Sequence, residues 1–136
     1  MRKNDILTLT ADALGADLEG VCRHEGMAVF VPGLLPGETA QVRIVKVQPR
    51  FAFGRLESAP ETPAASRRLP DCPVYPRCGG CTLLHLSYEG QLKAKRDHVA
   101  ACLRKFSGTD LVPEECVPSP MPLHYRKCLR KIPFIN

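Results

Sequence analysis

The sequence has no tryptophan, and aromatic residues fill only 6% of its 136 positions. A core built here must rest on aliphatic side chains, and a small domain of that kind has little stability in reserve. No apolar run is long enough for a membrane-spanning helix. The start, Met1-Arg2-Lys3-Asn4-Asp5-Ile6, has a basic tip but no apolar stretch behind it, because Thr8, Thr10 and Asp12 interrupt. A secretory leader is therefore not expected, and the chain is expected to be cytoplasmic. Seven cysteines in that compartment stay reduced, and an odd number cannot all pair within one chain. Metal ligation or plain burial is the better reading of them.

Hydrophobic residues at 44% and charged residues at 24% are ordinary for a globular protein. The length allows one domain or two small ones. The net charge of +5 is placed unevenly: residues 1–71 hold nine Lys/Arg and nine Asp/Glu, whereas residues 72–136 hold ten and five. Such a basic half is compatible with nucleic acid, since neutralising phosphates releases counterions. A solvated helix face explains it as well.

Residues 5–57 read as about five short strands. Ile6, Thr8 and Thr10 alternate with Leu7, Leu9 and Ala11. Val21–His24 and Met27–Val31 flank Glu25-Gly26, which suits a tight hairpin. Pro32-Gly33 and Pro36-Gly37 break the chain twice. Thr39–Gln48 alternates with Ala40, Val42, Ile44 and Lys46 on one face, and Phe51–Glu57 is the last strand. A small open sheet would leave its edges exposed, so closure into a barrel of the OB type is expected. Pro60, Pro63 and Pro70 mark residues 59–71 as a linker. Further on, Ser87 is a good N-cap for a helix whose Tyr88, Leu92, Val99, Cys102, Leu103 and Phe106 form one face. Ser107-Gly108 ends it.

The segment Cys72-Pro73-Val74-Tyr75-Pro76-Arg77-Cys78-Gly79-Gly80-Cys81 is the most informative. Two thiolates spaced C-x2-C bend around one metal, and Gly79-Gly80 lets the backbone fold tightly between them. Cys72 reaches the same site across a loop stiffened by Pro73 and Pro76. Zinc and iron–sulphur clusters both accept such thiolates. Unligated cysteines would leave unexplained why three gather in a polar, Pro/Gly-rich loop. A redox dithiol at Cys78 and Cys81 belongs at a strand-to-helix junction of a βαβ unit, and none is visible. Candidates for a fourth ligand are His85, Cys22, Cys102, Cys116 and Cys128; Cys22 and Cys102 fit better as small buried hydrophobes.

Cys78-Gly79-Gly80-Cys81, followed by His85, Tyr88, Gln91-Leu92 and Lys95, resembles the iron–sulphur signature of the TRAM-domain RNA uracil-C5 methyltransferases. Gly20-Val21, Gly26, Val29-Phe30-Val31-Pro32-Gly33 and Leu35-Pro36-Gly37-Glu38 are similar to the TRAM barrel that opens those proteins. The resemblance runs in order over about residues 5–106. It implies an RNA-binding barrel (1–58), the linker (59–71), and a region (72–136) with a 4Fe-4S cluster on Cys72, Cys78 and Cys81, the helix and the start of a central domain. The family's fourth cluster ligand lies further downstream. Its reaction is covalent activation of uracil by a catalytic cysteine in an S-adenosylmethionine domain. No such motif occurs before Asn136, so no catalytic residue is assigned and S-adenosylmethionine is expected only for a domain beyond this chain. Lys127-Cys128 breaks the family's element after Tyr125-Arg126, and a truncated or frame-shifted product, inactive alone, is the expectation.

RNA, most naturally ribosomal, is the expected partner; no membrane or protein partner is expected. Phe51 and Phe53 share one face of a strand with Arg50 and Arg55 nearby, an arrangement able to stack bases and hold phosphate. The blander expectation is that both phenylalanines fill the barrel core. Arg126 and Lys127 form a second basic patch. Rival readings are a stand-alone zinc or iron–sulphur RNA-binding module and a small electron-transfer protein.

Overall fold

Alternation along five strands turns one side of each inward, and in this sequence the inward side is aliphatic. A computed structural model describes residues 1–78 and 81–123. The chain divides into two units, Met1–Arg67 and Arg68–Asn136. In the first unit, β1 (Ile6–Leu14), β2 (Gly20–His24), β3 (Met27–Val31), β4 (Thr39–Val47) and β5 (Phe51–Leu56) close a barrel in the order β1-β2-β3-β5-β4. Neighbours are antiparallel except β3 and β5, which run parallel. Leu9, Ala11, Cys22, Val29, Val31, Leu34, Ala40, Val42, Ile44 and Ala52 fill the interior. Each large aliphatic among them contributes about 1.5–3 kcal/mol by leaving water, which is how the barrel dispenses with buried aromatics.

Local chemistry fixes the corners. Glu25 and Gly26 both take left-handed φ values, 51° and 78°, the pair that a two-residue hairpin needs. Gly54 is required for another reason: a Cβ there would lie 2.3 Å from Val42 Cγ1. The register of β4 against β5 shifts between Ile44 and Lys46. This irregularity corrects the expected facing of β4. Ala40, Val42 and Ile44 point inward, but Lys46 is exposed opposite Phe53.

The Glu38 side chain is fully buried. Its carboxylate accepts hydrogen bonds from Leu35 N at 2.7 Å, Arg67 Nε at 2.6 Å, Arg67 Nη2 at 2.7 Å and Ala64 N at 3.1 Å. Arg67 Nη2 also donates to the Gly33 carbonyl. Glu61 N donates to Thr39 O at 2.8 Å, and Thr39 N to Thr62 Oγ1 at 3.2 Å. Residues 59–67, read above as linker, are thus bonded to the barrel and belong to its unit.

In the second unit a short helix, α1 (Tyr75–Cys78), precedes α2 (Tyr88–Ser107). Ser87 caps α2 by accepting from Gly90 N at 3.2 Å, and Gly108 ends it in the left-handed conformation at φ 66°. No residue of α2 is buried. The apolar stripe predicted on it is present, but Val99 and Phe106 remain 47% and 77% exposed.

Burial alone would raise the Glu38 pKa. The Arg67 hydrogen bond and the amides of Leu35 and Ala64 outweigh it and hold the carboxyl below its ordinary value of 4.5. Its contribution to stability is therefore complete above that value and is lost as the pH falls through the lower folded pKa. Glu38→Gln leaves Arg67 facing a neutral partner and should cost about 3 kcal/mol, read as a lower urea midpoint at neutral pH. The difference from wild type should shrink in acid.

Candidate functional site

Aliphatic side chains fill the barrel's interior, and the polar and aromatic side chains of its strands face outward. β5 alternates Ala52 and Gly54 inward with Phe51, Phe53 and Arg55 outward. Phe51 and Phe53 are 36% and 39% exposed, so they do not fill the core. Their neighbours explain the choice: the interior beside Gly54 is already closed by Val42, Val31 and Val29. The parallel pairing of β3 with β5 sets Phe30 directly beside Phe53. The three rings form one cluster, with centroids 5.9 Å apart for Phe30–Phe51, 5.9 Å for Phe30–Phe53 and 5.4 Å for Phe51–Phe53. Phe51 and Phe53 meet edge to face at 86°.

Cations surround this cluster. Lys46 lies opposite Phe53 on β4, and Arg55 lies opposite Arg43. Arg23 lies opposite Ala28, the β3 partner of Phe51. Arg50 is exposed immediately before β5. Arg43 donates to both carboxylate oxygens of Glu57, at 2.9 and 2.7 Å. Among the described residues, Arg23, Lys46, Arg50 and Arg55 make no ion pair. The strands β2, β3, β4 and β5 contain no Asp or Glu. The face thus combines partly exposed rings with cations, of which Arg43 is paired with Glu57.

The cysteine loop is organised by Tyr75. The amide of Tyr75 donates to Cys72 O at 3.2 Å, starting α1. Its hydroxyl donates to Thr82 O at 2.8 Å and lies 2.6 Å from His85 Nδ1. The one hydroxyl thus links Thr82 and His85, and the role of Nδ1 as donor or acceptor follows the imidazole tautomer. The buried His85 also accepts from Arg68 N at 2.9 Å through its carbonyl. Cys72 is half-buried and Cys81 exposed. The Cys78 side chain, Gly79 and Gly80 lie outside the described residues, as do Cys128, Arg126 and Lys127. Among the described residues no three His, Cys, Asp or Glu side chains converge on one point. The loop fits a thiolate site in donor type, and in closure, because Tyr75 ties the segment after Cys81 to the helix that ends at Cys78.

Of the other fourth-ligand candidates, Cys22 is buried in the barrel, where loss of solvent and then the Asp12 charge push its thiol up to about 11. Cys102 is half-buried on α2, its sulphur 3.7 Å from His98 Nε2. Cys116 is half-buried and lines an open cleft with Glu89, Leu92, Lys93, Arg96 and Glu115.

Residues 4–56 match the TRAM domain family. A Listeria monocytogenes protein named an uncharacterized RNA methyltransferase is 36% identical over 137 aligned positions, which cover all of this chain and 30% of that protein. Residues 4–56 are thus a TRAM domain, in a chain similar along its length to proteins named RNA methyltransferases. Proteins of the same name from Bacillus cereus and Oceanobacillus iheyensis are 42% and 40% identical, over 83% and 93% of this chain and 24% and 27% of their own length. The chain thus spans about a quarter to a third of these relatives. A conserved protein of Methanococcus maripaludis, solved in solution, is similar at 26% identity and a TM-score of 0.41, covering 43% of this chain and 83% of that one.

Within the TRAM barrel the structure brings Phe51 and Phe53 together and sets Arg55 on the same outward face. Sequence reading missed Phe30, whose ring completes the cluster. The β-strand period marks Phe30 as opposite in facing to Val29 and Val31, but only the β3–β5 pairing shows which aromatics it joins. The role of Tyr75 was missed as well. Tyr75→Phe keeps the ring and removes the hydroxyl bonds to Thr82 and His85. Hydrogen exchange at the Arg68 and Leu86 amides, which bond within this segment, should then speed about tenfold.

Proposed function

We propose that this chain supplies the RNA-binding and iron–sulphur portion of an S-adenosylmethionine-dependent RNA uracil-C5 methyltransferase acting on ribosomal RNA. The observation that carries the reading is the TRAM barrel's basic outer wall, where exposed phenylalanines sit among cations of which only Arg43 is paired, with Glu57. Similarity along the whole chain to proteins named RNA methyltransferases supports the enzyme class. Methyl transfer itself is assigned to no residue of this chain.

Cys72, Cys78 and Cys81 would hold the cluster, whose contribution here would be to lock the loop through thiolate bonds. The Cys-Gly-Gly-Cys spacing supports this assignment, as does the tie between Tyr75 and Thr82. Zinc is the rival, favoured by one observation: buried His85 is hydrogen-bonded to Tyr75 within the same loop, the kind of outer-shell contact that orients a histidine ligand in a Cys3His set.

Metal analysis after anaerobic purification separates these readings. Iron and sulphide in near-equal amounts, with a brown colour lost in Cys78→Ser, are expected; stoichiometric zinc without colour would replace the cluster by a zinc site. Affinity for single-stranded RNA should fall with salt by about 0.7 logarithmic units per logarithmic unit of salt for each phosphate contact. RNA binding insensitive to salt would rule out the phosphate contacts.

A further inference from the structure

We infer that the Phe30–Phe51–Phe53 cluster is a stacking platform that selects single-stranded over duplex RNA, with Arg23, Lys46 and Arg55 holding the strand's phosphates. The inference rests on the reading that this barrel binds RNA, and it names the form of RNA and the side chains that recognise it.

The geometry supports stacking. Phe51 and Phe53 stand at 86° to each other, so at most one can lie flat on the sheet. At least one ring is therefore tilted out of the sheet, and the exposed part of the pair, 36% of Phe51 and 39% of Phe53, is what an unpaired base can reach. Phe30 packs against both and limits their rotation. A preset aromatic surface loses little conformational entropy when a base stacks on it. In a duplex the base faces are already covered by their neighbours, so such rings find nothing to hold.

Charge argues for RNA over a second copy of this chain. Exposed apolar rings could serve a protein contact. However, β2 to β5 hold Arg23, Arg43, Lys46 and Arg55 and no carboxylate, and Glu57, which follows β5 and is bound by Arg43, offsets one of these four charges. Two such faces repel each other, whereas a phosphate backbone satisfies them. Charge alone does not prefer a single strand, because a duplex is the denser polyanion. Selectivity must therefore come from the rings, and this separates the platform from a merely basic surface.

The test uses the full chain and fluorescence anisotropy at fixed salt, with a short unstructured RNA alone and the same RNA annealed to its complement. Wild type should bind the single strand at least about tenfold more tightly. Phe51→Leu and Phe53→Leu should each lose about tenfold in single-strand affinity, with duplex affinity and salt dependence unchanged. Phe51→Trp should keep the preference, which a purely structural role for the ring would not predict. The triple variant Arg23→Gln, Lys46→Gln, Arg55→Gln should weaken both RNAs and flatten the salt dependence. Equal binding of the two forms by wild type would overturn the platform and leave RNA binding standing. So would leucine variants that keep the ratio, or leucine variants that abolish only self-association. No binding of either RNA would overturn the platform and the proposed function together.

Discussion

A carboxylate with no accessible surface needs its compensation inside the protein, and Glu38 obtains it from opposite directions along the chain. Leu35 N comes from the turn just before it, while Ala64 N and the Arg67 guanidinium come from a segment far downstream. Because Arg67 also reaches the Gly33 carbonyl, one guanidinium joins both ends of the turn between β3 and β4 to the strap that leaves β5. The geometry of that turn determines where β4 begins, and β4 pairs with both β1 and β5. Barrel closure thus depends on a polar contact as well as on apolar packing. An aliphatic core is largely indifferent to register, whereas a carboxylate that must meet four donors is not.

The outer wall depends on the same closure. In an open sheet β3 and β5 could each present one aromatic face to a separate neighbour. Parallel pairing in a closed barrel instead places Phe30 and Phe53 side by side, and the shift after Ile44 turns Lys46 out beside them. Rings and cations from four strands become one surface although they are scattered along the chain. The cysteine loop solves a related problem with fewer residues. Tyr75 closes it on Thr82 and orients His85, so two hydrogen bonds do the work that a sheet does in the barrel.

Features governed by neighbours in sequence were legible. The Glu25-Gly26 hairpin, the Ser87 cap, the Gly108 stop and the inward alternation of Leu9, Val29, Val42 and Ile44 all follow from local rules, and the structure has each of them. The five-stranded closure followed from the cost of open edges. What was not legible depended on pairing at a distance. The register shift in β4 has no composition signal, so Lys46 was placed on the wrong face. Phe51 and Phe53 have ordinary core character, and only the crowding around Gly54 shows that the interior had no place for them. Glu38 and Arg67 are 29 residues apart, and nothing near either one announces the other.

Gly54 carries a consequence for what the barrel can recognise. A single methyl group at that point would collide with Val42, with Val31 and Val29 close behind. Beside Gly54 the wall cannot accept one carbon atom inward, so that part of the interior has no room for a ligand. Many barrels of wider bore hold a ligand at their axis; here valine side chains occupy the space next to Gly54. Affinity gained by mutation is then most readily sought at outward positions of β5, which do not belong to the aliphatic core.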